Sequence, residues 1–168
     1  MQFLFKPFSF VFFCIFSFCT ISLTSADNNI EEIIVSSDFR EAQLKNIPTS
    51  ISVINSDVIN QRNSRHLEDV LALTPNVNFA AGASRGRYFQ IRGIGERSQF
   101  VAPLNPSVGT YVDGIDFTGF GGAATLLDID QVEVLRGSQG TRFGANALAG
   151  VISLQTAGPT AESQGYAK

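Results

Sequence analysis

The chain has 168 residues, a formal net charge of −3, 44% apolar residues and only 16% charged residues. This length allows one domain of ordinary size. The acidic balance argues against a nucleic-acid-binding protein, because nucleic-acid binding requires at least a basic face.

The first 26 residues predict a secretory signal peptide. They contain a single charge, Lys6, then an uncharged run that is rich in phenylalanine, and they end in the small residues Thr24-Ser25-Ala26. A basic start, an apolar centre and a small-residue cleavage site are typical of such peptides, so we expect cleavage after Ala26. A transmembrane anchor is the alternative, because an uncharged run of about 20 residues can span a bilayer as a helix.

The expected mature chain has no thiol, because Cys14 and Cys19 both lie in this leader. No disulfide framework, thiol nucleophile or cysteine metal site is therefore predicted. A cysteine-free exported chain suits the periplasm or the outer membrane.

Residues 27–46 are expected to form a flexible tail. The tail is polar and charged at both ends around one short apolar run, Ile33-Ile34-Val35. No other apolar residue at helical or alternating spacing accompanies this run to bury it, and its β-branched residues favour an extended conformation.

Five or six short strands are predicted after the tail from their apolar patterns. In chain order they span residues 50–54, 77–79, 88–91, 108–112, 131–135 and 151–154. Asp113-Gly114 follows the fourth and favours the positive φ angles of a hairpin turn. In the fifth, Val132 and Val134 face one side, and Gln131 and Glu133 face the other.

Two or three short helices are predicted between these strands. Asn55 or Ser56 is a suitable N-cap for the first. One helical turn is expected at residues 144–148. The second helix has apolar residues at positions i, i+3 and i+4, namely Leu67, Val70 and Leu71. Together the elements predict an α+β domain.

No catalytic or metal site and no cofactor are predicted. His66 is the only histidine and has no partner at ligand spacing. Asp128 and Asp130 are expected on the face opposite Glu133, so a solvated strand end explains these carboxylates better than a cluster. The glycine-rich segments lack the G-x-G-x-x-G and Gly-Lys-Ser/Thr patterns of nucleotide sites, and no Ser-His-Asp triad can be assigned.

Arginine and glycine concentrate in the second part of the chain. All 15 glycines lie at or after position 82, which predicts tight turns between short strands. Four arginines fall within thirteen residues, and a solvated loop face is the simplest explanation for them. They are Arg85, Arg87, Arg92 and Arg97.

Three segments follow one another in a specific order. They are Gln90-Ile91-Arg92-Gly93-Ile94-Gly95, Tyr111-Val112-Asp113-Gly114-Ile115, and Val132-Glu133-Val134-Leu135-Arg136-Gly137 through Gly150-Val151-Ile152. In this order they resemble the N-terminal plug domain of TonB-dependent outer-membrane receptors. The resemblance implies a small mixed β-sheet domain at residues 47–157 with short helices and glycine-rich loops. It implies structural roles for Gly93, Asp113, Gly114, Gly137, Gly140, Gly144 and Gly150.

The resemblance also assigns a role to the tail. Glu32, Ile33, Ile34, Val35 and Ser36 resemble a TonB box, which the inner-membrane-anchored TonB protein binds by adding it as a strand to its own sheet. Such strand addition depends on main-chain hydrogen bonds. By analogy with the family, Arg92 and Arg136 would pair with acidic groups on the wall of the barrel that surrounds a plug.

The function implied by the resemblance is the gating of uptake. A plug blocks a transmembrane β-barrel in the outer membrane, and TonB rearranges it to admit a scarce ligand such as an iron-siderophore, cobalamin, haem or a carbohydrate. The irregular stretches 81–87 and 96–105 are the candidate ligand-contacting loops.

No barrel-strand pattern follows Thr156, so residues 158–168 are expected to begin a linker to a barrel that is absent here. The sequence is then a fragment, a truncated reading frame or a free-standing plug. A free-standing plug would be a periplasmic module that engages TonB or a ligand without forming a channel. An exported enzyme is the third and weakest hypothesis, because no catalytic constellation is found.

Overall fold

The computed structural model describes residues 33–35, 42–81, 85–98, 103–120, 125–161 and 165. All of them belong to one compact unit, residues 32–168. The predicted leader at residues 1–26, and also Glu32 and Ser36 of the predicted TonB box, lie outside the described residues. Within the described ranges, no helix is long and apolar enough to cross a membrane.

The described ranges contain nine short strands and three short α-helices. The strands are β1 (Ile34–Val35), β2 (Ala42–Gln43), β3 (Ser50–Asn55), β4 (Val77–Ala80), β5 (Tyr88–Ile91), β6 (Val108–Val112), β7 (Ile115–Asp116), β8 (Ile129–Arg136) and β9 (Gly150–Thr156). The helices are α1 (Ser56–Gln61), α2 (Leu67–Leu71) and α3 (Gly140–Phe143), and a 3-10 turn spans Leu44–Asn46. All six predicted strands are present, which confirms the α+β prediction.

The central element is a five-stranded mixed sheet with the strand order β3-β8-β9-β6-β7. β8 pairs antiparallel with both β3 and β9, whereas β6 and β9 run parallel. β6 and β7 form the predicted hairpin, in which Asp113 and Gly114 have φ angles of 48° and 79°. β4 pairs with β5, and β1 pairs with β2, in two separate antiparallel sheets.

The main core covers one face of the central sheet. Val132 and Val134 of β8 are completely buried there. The elements α1, α2, β4 and β5 contribute to the same apolar cluster through Ile59, Leu67, Val70, Leu71, Val77, Phe89 and Ile91. The predicted stripe of the second helix is thus buried, and Asn55 caps the first helix by accepting a hydrogen bond from the Val58 N–H at 3.2 Å.

The opposite face of the sheet carries a smaller apolar cluster. Tyr111, Leu135, Ala147 and Val151 are buried together there. The ring of Tyr111 lies 4.8 Å from that of Phe143, centroid to centroid, and its hydroxyl donates a hydrogen bond to the Phe143 carbonyl. Residues 140–149 therefore pack back on this face of the sheet.

The helical turn predicted at residues 144–148 is wrong. The turn of helix is α3, which spans Gly140–Phe143, and Gly144 follows it with a φ angle of 81°. A residue with positive φ ends a right-handed helix. The alanines after Gly144 therefore lie beyond the end of the helix.

Candidate functional site

The described part of the predicted TonB box is docked as a strand. β1 pairs antiparallel with β2, and the Leu44 N–H donates a hydrogen bond of 3.1 Å to the Ile33 carbonyl. Gln131 of β8 donates a hydrogen bond of 3.0 Å from its side-chain amide to the Ile34 carbonyl. Val35 is completely buried, whereas Ile33 and Ile34 are about half exposed. The expectation that nothing buries this run is wrong for Val35, because the segment docks beside a strand that is distant in sequence.

Among the described residues, few hydrogen bonds hold β1 in place. Its ladder with β2 joins only two residues on each strand, and an isolated two-stranded pair is at best marginally stable. Each hydrogen bond contributes only about 1 kcal/mol net. A competing strand that offers the same main-chain hydrogen bonds, and that also covers the side chain of Val35, can therefore replace β2.

Gln131 links this segment to a buried carboxylate. Its side-chain amide also donates a hydrogen bond of 2.6 Å to Glu133 Oε1. Glu133 is completely buried, so the expected solvated strand end is wrong for this residue. A buried carboxylate needs hydrogen-bond donors, and Gln131 supplies one while also holding Ile34.

The two predicted barrel-contact arginines lie close enough to affect each other. The Arg136 Nη2 donates a hydrogen bond of 2.6 Å to Ser52 Oγ, and its Nη1 donates one of 3.4 Å to Ser50 Oγ. Arg92 follows β5 with a φ angle of 55°. Burial, and then the positive charge of Arg92, lower the pKa of Arg136. Within the described part of the chain, Arg136 bonds to neutral hydroxyls and its Nε is buried without a partner.

The residues to which the resemblance assigned structural roles lie mainly in turns or where two stretches of backbone come close together. Asp113 accepts hydrogen bonds of 2.9 Å from the N–H and the hydroxyl of Thr156, which ties the β6–β7 turn to the end of β9. Gly150 begins β9, and a Cβ there would overlap the carbonyl oxygen of Leu135. Positive φ angles are found at Gly93, Gly114, Gly137, Gly144 and Gly150, whereas Gly140 begins α3 with nothing closer than 4.0 Å to its Cβ position.

A cluster of arginines and aromatic residues joins three segments, and sequence reasoning did not predict it. At the base of the loop between β4 and β5, Arg85 Nη2 lies 2.7 Å from His66 Nε2, next to the start of α2. Arg87 Nε donates a hydrogen bond of 3.1 Å to the Gly119 carbonyl in the loop after β7. The arginine–aromatic cluster consists of Arg85, Arg87, Tyr88, Phe117, Gly119 and Phe120.

The arginine-rich stretch was the one sequence signal for this cluster. The structure divides that stretch, because Arg85 and Arg87 precede β5 whereas Arg92 follows it. Residues 82–84 and 99–102 of the two candidate ligand loops lie outside the described residues. In the described ranges, no three potential metal-ligating side chains converge.

Comparisons with known proteins agree with one another. A family model described as the TonB-dependent Receptor Plug Domain matches residues 43–151. The pesticin receptor of Yersinia pestis is 37% identical over 76 residues, which cover 45% of this chain and 11% of that receptor. The vitamin B12 transporter BtuB of Photobacterium profundum is 27% identical over 142 residues, which cover 83% of this chain and 23% of that transporter.

A solved structure is similar as well. The crystal structure of the ferric yersiniabactin uptake receptor FyuA from Yersinia pestis matches with a TM-score of 0.56 and 26% identity. The match covers 66% of this chain and 17% of that receptor. The chain thus spans less than a quarter of the length of each of these relatives. The relatives are receptors and transporters, not enzymes, so the exported-enzyme hypothesis is rejected.

Proposed function

The chain belongs to the TonB-dependent receptor plug domain family, and we propose that it is the plug of a TonB-dependent outer-membrane transporter. It gates the uptake of a scarce ligand, such as an iron-siderophore, through a transmembrane β-barrel. Residues 1–26 direct export, residues 27–46 carry the TonB box, residues 47–157 form the plug, and residues 158–168 lead toward the barrel.

The docked strand β1 is the observation that carries this proposal. It is an apolar, β-branched segment near the expected mature N-terminus, and Ile33 and Ile34 remain about half exposed. Strand addition by TonB requires a segment that is extended and weakly held. The two-residue ladder with β2 and the hydrogen bond from Gln131 meet both requirements.

The arginine pair supports the placement of the chain inside a barrel. Arg136 is partly desolvated, lies near Arg92, and bonds to serine hydroxyls rather than to a carboxylate in the described ranges. Two neighbouring positive charges are stabilised by an opposite charge. The walls of barrel lumens are polar, so we assign acidic groups of the barrel wall as the partners of Arg92 and Arg136.

Binding of TonB tests the proposal. We expect the periplasmic domain of TonB from the same organism to bind the full chain, as measured by calorimetry. Ile34→Pro should abolish binding, because proline removes the N–H that a partner strand requires. Asn29→Pro places the same residue outside the box and should leave binding unchanged. No binding by the unmodified chain, or full binding by the Ile34→Pro variant, would contradict the proposal.

The cellular location of the chain distinguishes the proposed plug from the alternative function, which is a free-standing periplasmic module that binds TonB or a ligand. An antibody against residues 27–168 would be applied to fractions of the source organism. Detection in the outer membrane supports the plug. Detection only in the soluble periplasm would instead establish the free-standing module.

A further inference from the structure

We infer that His66 is a proton-operated switch, which holds the side chain of Arg85 at neutral pH and releases it at acid pH. His66 is the only histidine of the chain. The switch does not depend on the proposed function, because every group that it needs belongs to this chain.

His66 lies where three segments of the fold meet. It is the N-cap residue of α2. It forms an isolated antiparallel bridge with Thr125, and the carbonyl of the preceding residue, Arg65, accepts a hydrogen bond of 3.0 Å from the Leu126 N–H. At the base of the loop between β4 and β5, Arg85 places its Nη2 2.7 Å from His66 Nε2. A charge on this imidazole therefore acts directly on the contact between α2 and that loop.

The contact with Arg85 requires a neutral imidazole. A guanidinium has no acceptor atom, so His66 Nε2 accepts the hydrogen bond and the ring carries its proton on Nδ1. Among the described residues, Nδ1 is buried without a hydrogen-bond partner. The Asp69 N–H donates to the main-chain carbonyl of His66 at 3.1 Å. The lone pair that holds Arg85 is therefore the one that takes up a proton when the imidazole becomes charged.

Protonation turns this attraction into repulsion. A protonated Nε2 is a hydrogen-bond donor, and it would face a second donor that carries the same charge. Imidazole groups change their charge between about pH 8 and pH 5. Because Arg85 is exposed, its side chain can turn into solvent. Acidification through this range should therefore break the contact.

Two carboxylates of α2 favour the protonated state. Asp69 Oδ2 accepts a hydrogen bond of 3.1 Å from the main-chain N–H of His66, and Glu68 precedes Asp69 in the same turn. Arg85 opposes them, whereas Arg65 is exposed, so that water and salt screen its charge. Nearby carboxylates stabilise a cationic imidazole. Once Arg85 has left, they balance the new positive charge.

A second contact of the loop does not involve the imidazole. Glu68 Oε1 accepts a hydrogen bond of 2.9 Å from the N–H of Gly86, the residue after Arg85. The next arginine, Arg87, donates a hydrogen bond of 3.1 Å to the carbonyl of Gly119, a group that does not titrate. The switch therefore releases one side chain and leaves its neighbours in place, and Arg87 serves as an internal reference.

Nuclear magnetic resonance of the full chain at pH 8 and pH 5 tests the switch. With one histidine, the chain gives one set of imidazole signals. We expect its proton on Nδ1 at pH 8. The order parameter of the Arg85 Nε–H should fall below about 0.6, the range of flexible groups, at pH 5. The order parameter of the Arg87 Nε–H should change little.

His66→Gln is the matched variant. Its side-chain carbonyl can accept a hydrogen bond from Arg85 but takes up no proton in this pH range. Arg85 should therefore be equally ordered at pH 8 and pH 5 in this variant. Circular dichroism checks that the variant folds. If it does not, His66→Asn replaces it, because asparagine also offers a carbonyl and is a favourable N-cap residue.

Four results would overturn the inference. They are an imidazole with its proton on Nε2 at pH 8, equal order of Arg85 at both pH values in the unmodified chain, the same loss of order at pH 5 in the glutamine or asparagine variant, and an equal loss of order at Arg87. The first would contradict the hydrogen bond that Arg85 donates. The others would separate any pH response of the loop from the charge of His66.

Discussion

The side-chain amide of Gln131 donates a 3.0 Å hydrogen bond to the main-chain carbonyl of Ile34, although 97 residues separate the two. This contact joins the predicted TonB box to the central sheet. Together with the short β1–β2 ladder, it keeps the box docked as a strand. The strength of this contact therefore contributes to how readily the box becomes available to another strand.

Replacement of Gln131 should loosen the box. In Gln131→Ala the population with β1 detached should rise about fivefold, because one hydrogen bond contributes about 1 kcal/mol net. The Leu44 N–H bonds to the Ile33 carbonyl, so its hydrogen exchange reports on the detachment. We expect faster exchange at Leu44 in the variant.

Gln155 offers a matched control for this variant. Gln155 lies on β9, the strand next to β8, and its side chain donates a hydrogen bond of 3.2 Å to Ser153 Oγ on the same strand. Gln155→Ala should leave exchange at Leu44 unchanged. Equal exchange rates in the Gln131→Ala variant and the unmodified chain would show that Gln131 does not hold the box.

Charge reversal at Arg136 should unseat the plug. Arg136→Glu would place a carboxylate opposite the acidic barrel groups that we propose as partners, and like charges repel. We expect the chain in outer-membrane fractions to become accessible to added protease and ligand uptake to fall. Arg62→Glu reverses an exposed charge elsewhere and should have no effect. Unchanged protease protection and unchanged uptake in the Arg136→Glu variant would count against the barrel contact.

Gly150 and Gly140 should respond very differently to alanine. Gly150 has a φ angle of 158°, and a Cβ there would overlap the Leu135 carbonyl oxygen and lie 2.7 Å from Ile91 Cδ1. Gly150→Ala should lower the free energy of unfolding by at least about 2 kcal/mol. The new Cβ in Gly140→Ala would meet nothing closer than 4.0 Å, so this variant should change the free energy of unfolding by no more than about 0.5 kcal/mol. Urea titrations would measure the free energy of unfolding of both variants. Similar values for Gly150→Ala and Gly140→Ala would refute the close contact between Gly150 and the Leu135 backbone.

Asp116 should make the stability of the fold depend on acid pH. Burial alone raises the pKa of Asp116, but hydrogen bonds from Thr118 and Asn146 outweigh burial and hold it below the ordinary value of 3.8. A carboxyl group with a lowered folded-state pKa contributes stability above its unfolded-state pKa and loses that stability as the pH falls through the folded-state pKa. The difference in unfolding free energy between the unmodified chain and Asp116→Asn should therefore be larger at pH 7 than at pH 2.

Urea unfolding at both pH values would check this prediction. Asp57→Asn, at an exposed carboxylate in the first turn of α1, controls for the loss of one negative charge. The prediction would be contradicted if Asp116→Asn lowered the free energy of unfolding by the same amount at pH 7 and at pH 2.

Local patterns predicted most of the secondary structure because their causes are local. Leu67, Val70 and Leu71 follow a helical period, and all three are buried in the core. Asp113-Gly114 takes the positive φ angles that a tight hairpin demands. The turn of helix lies before Gly144 rather than after it, because the positive φ angle of Gly144 ends α3 at Phe143.

The candidate site was less predictable because it depends on contacts between distant segments. The pattern of Ile33-Ile34-Val35 contains no information about Gln131, so the docking of β1 could not be predicted. Likewise, Glu133 lies on the expected face of β8, but its burial depends on what covers that face. The arginine–aromatic cluster arises only where the strand pair β4–β5 meets the loop after β7.

Amide hydrogen exchange of the full chain, with and without the periplasmic domain of TonB, tests the central claim most directly. If TonB takes the box by strand addition, the amides of Ile34 and Val35 should gain protection from exchange. The Leu44 N–H should lose protection at the same time, because its acceptor on Ile33 leaves. Unchanged exchange at all three amides in the presence of TonB would contradict the account.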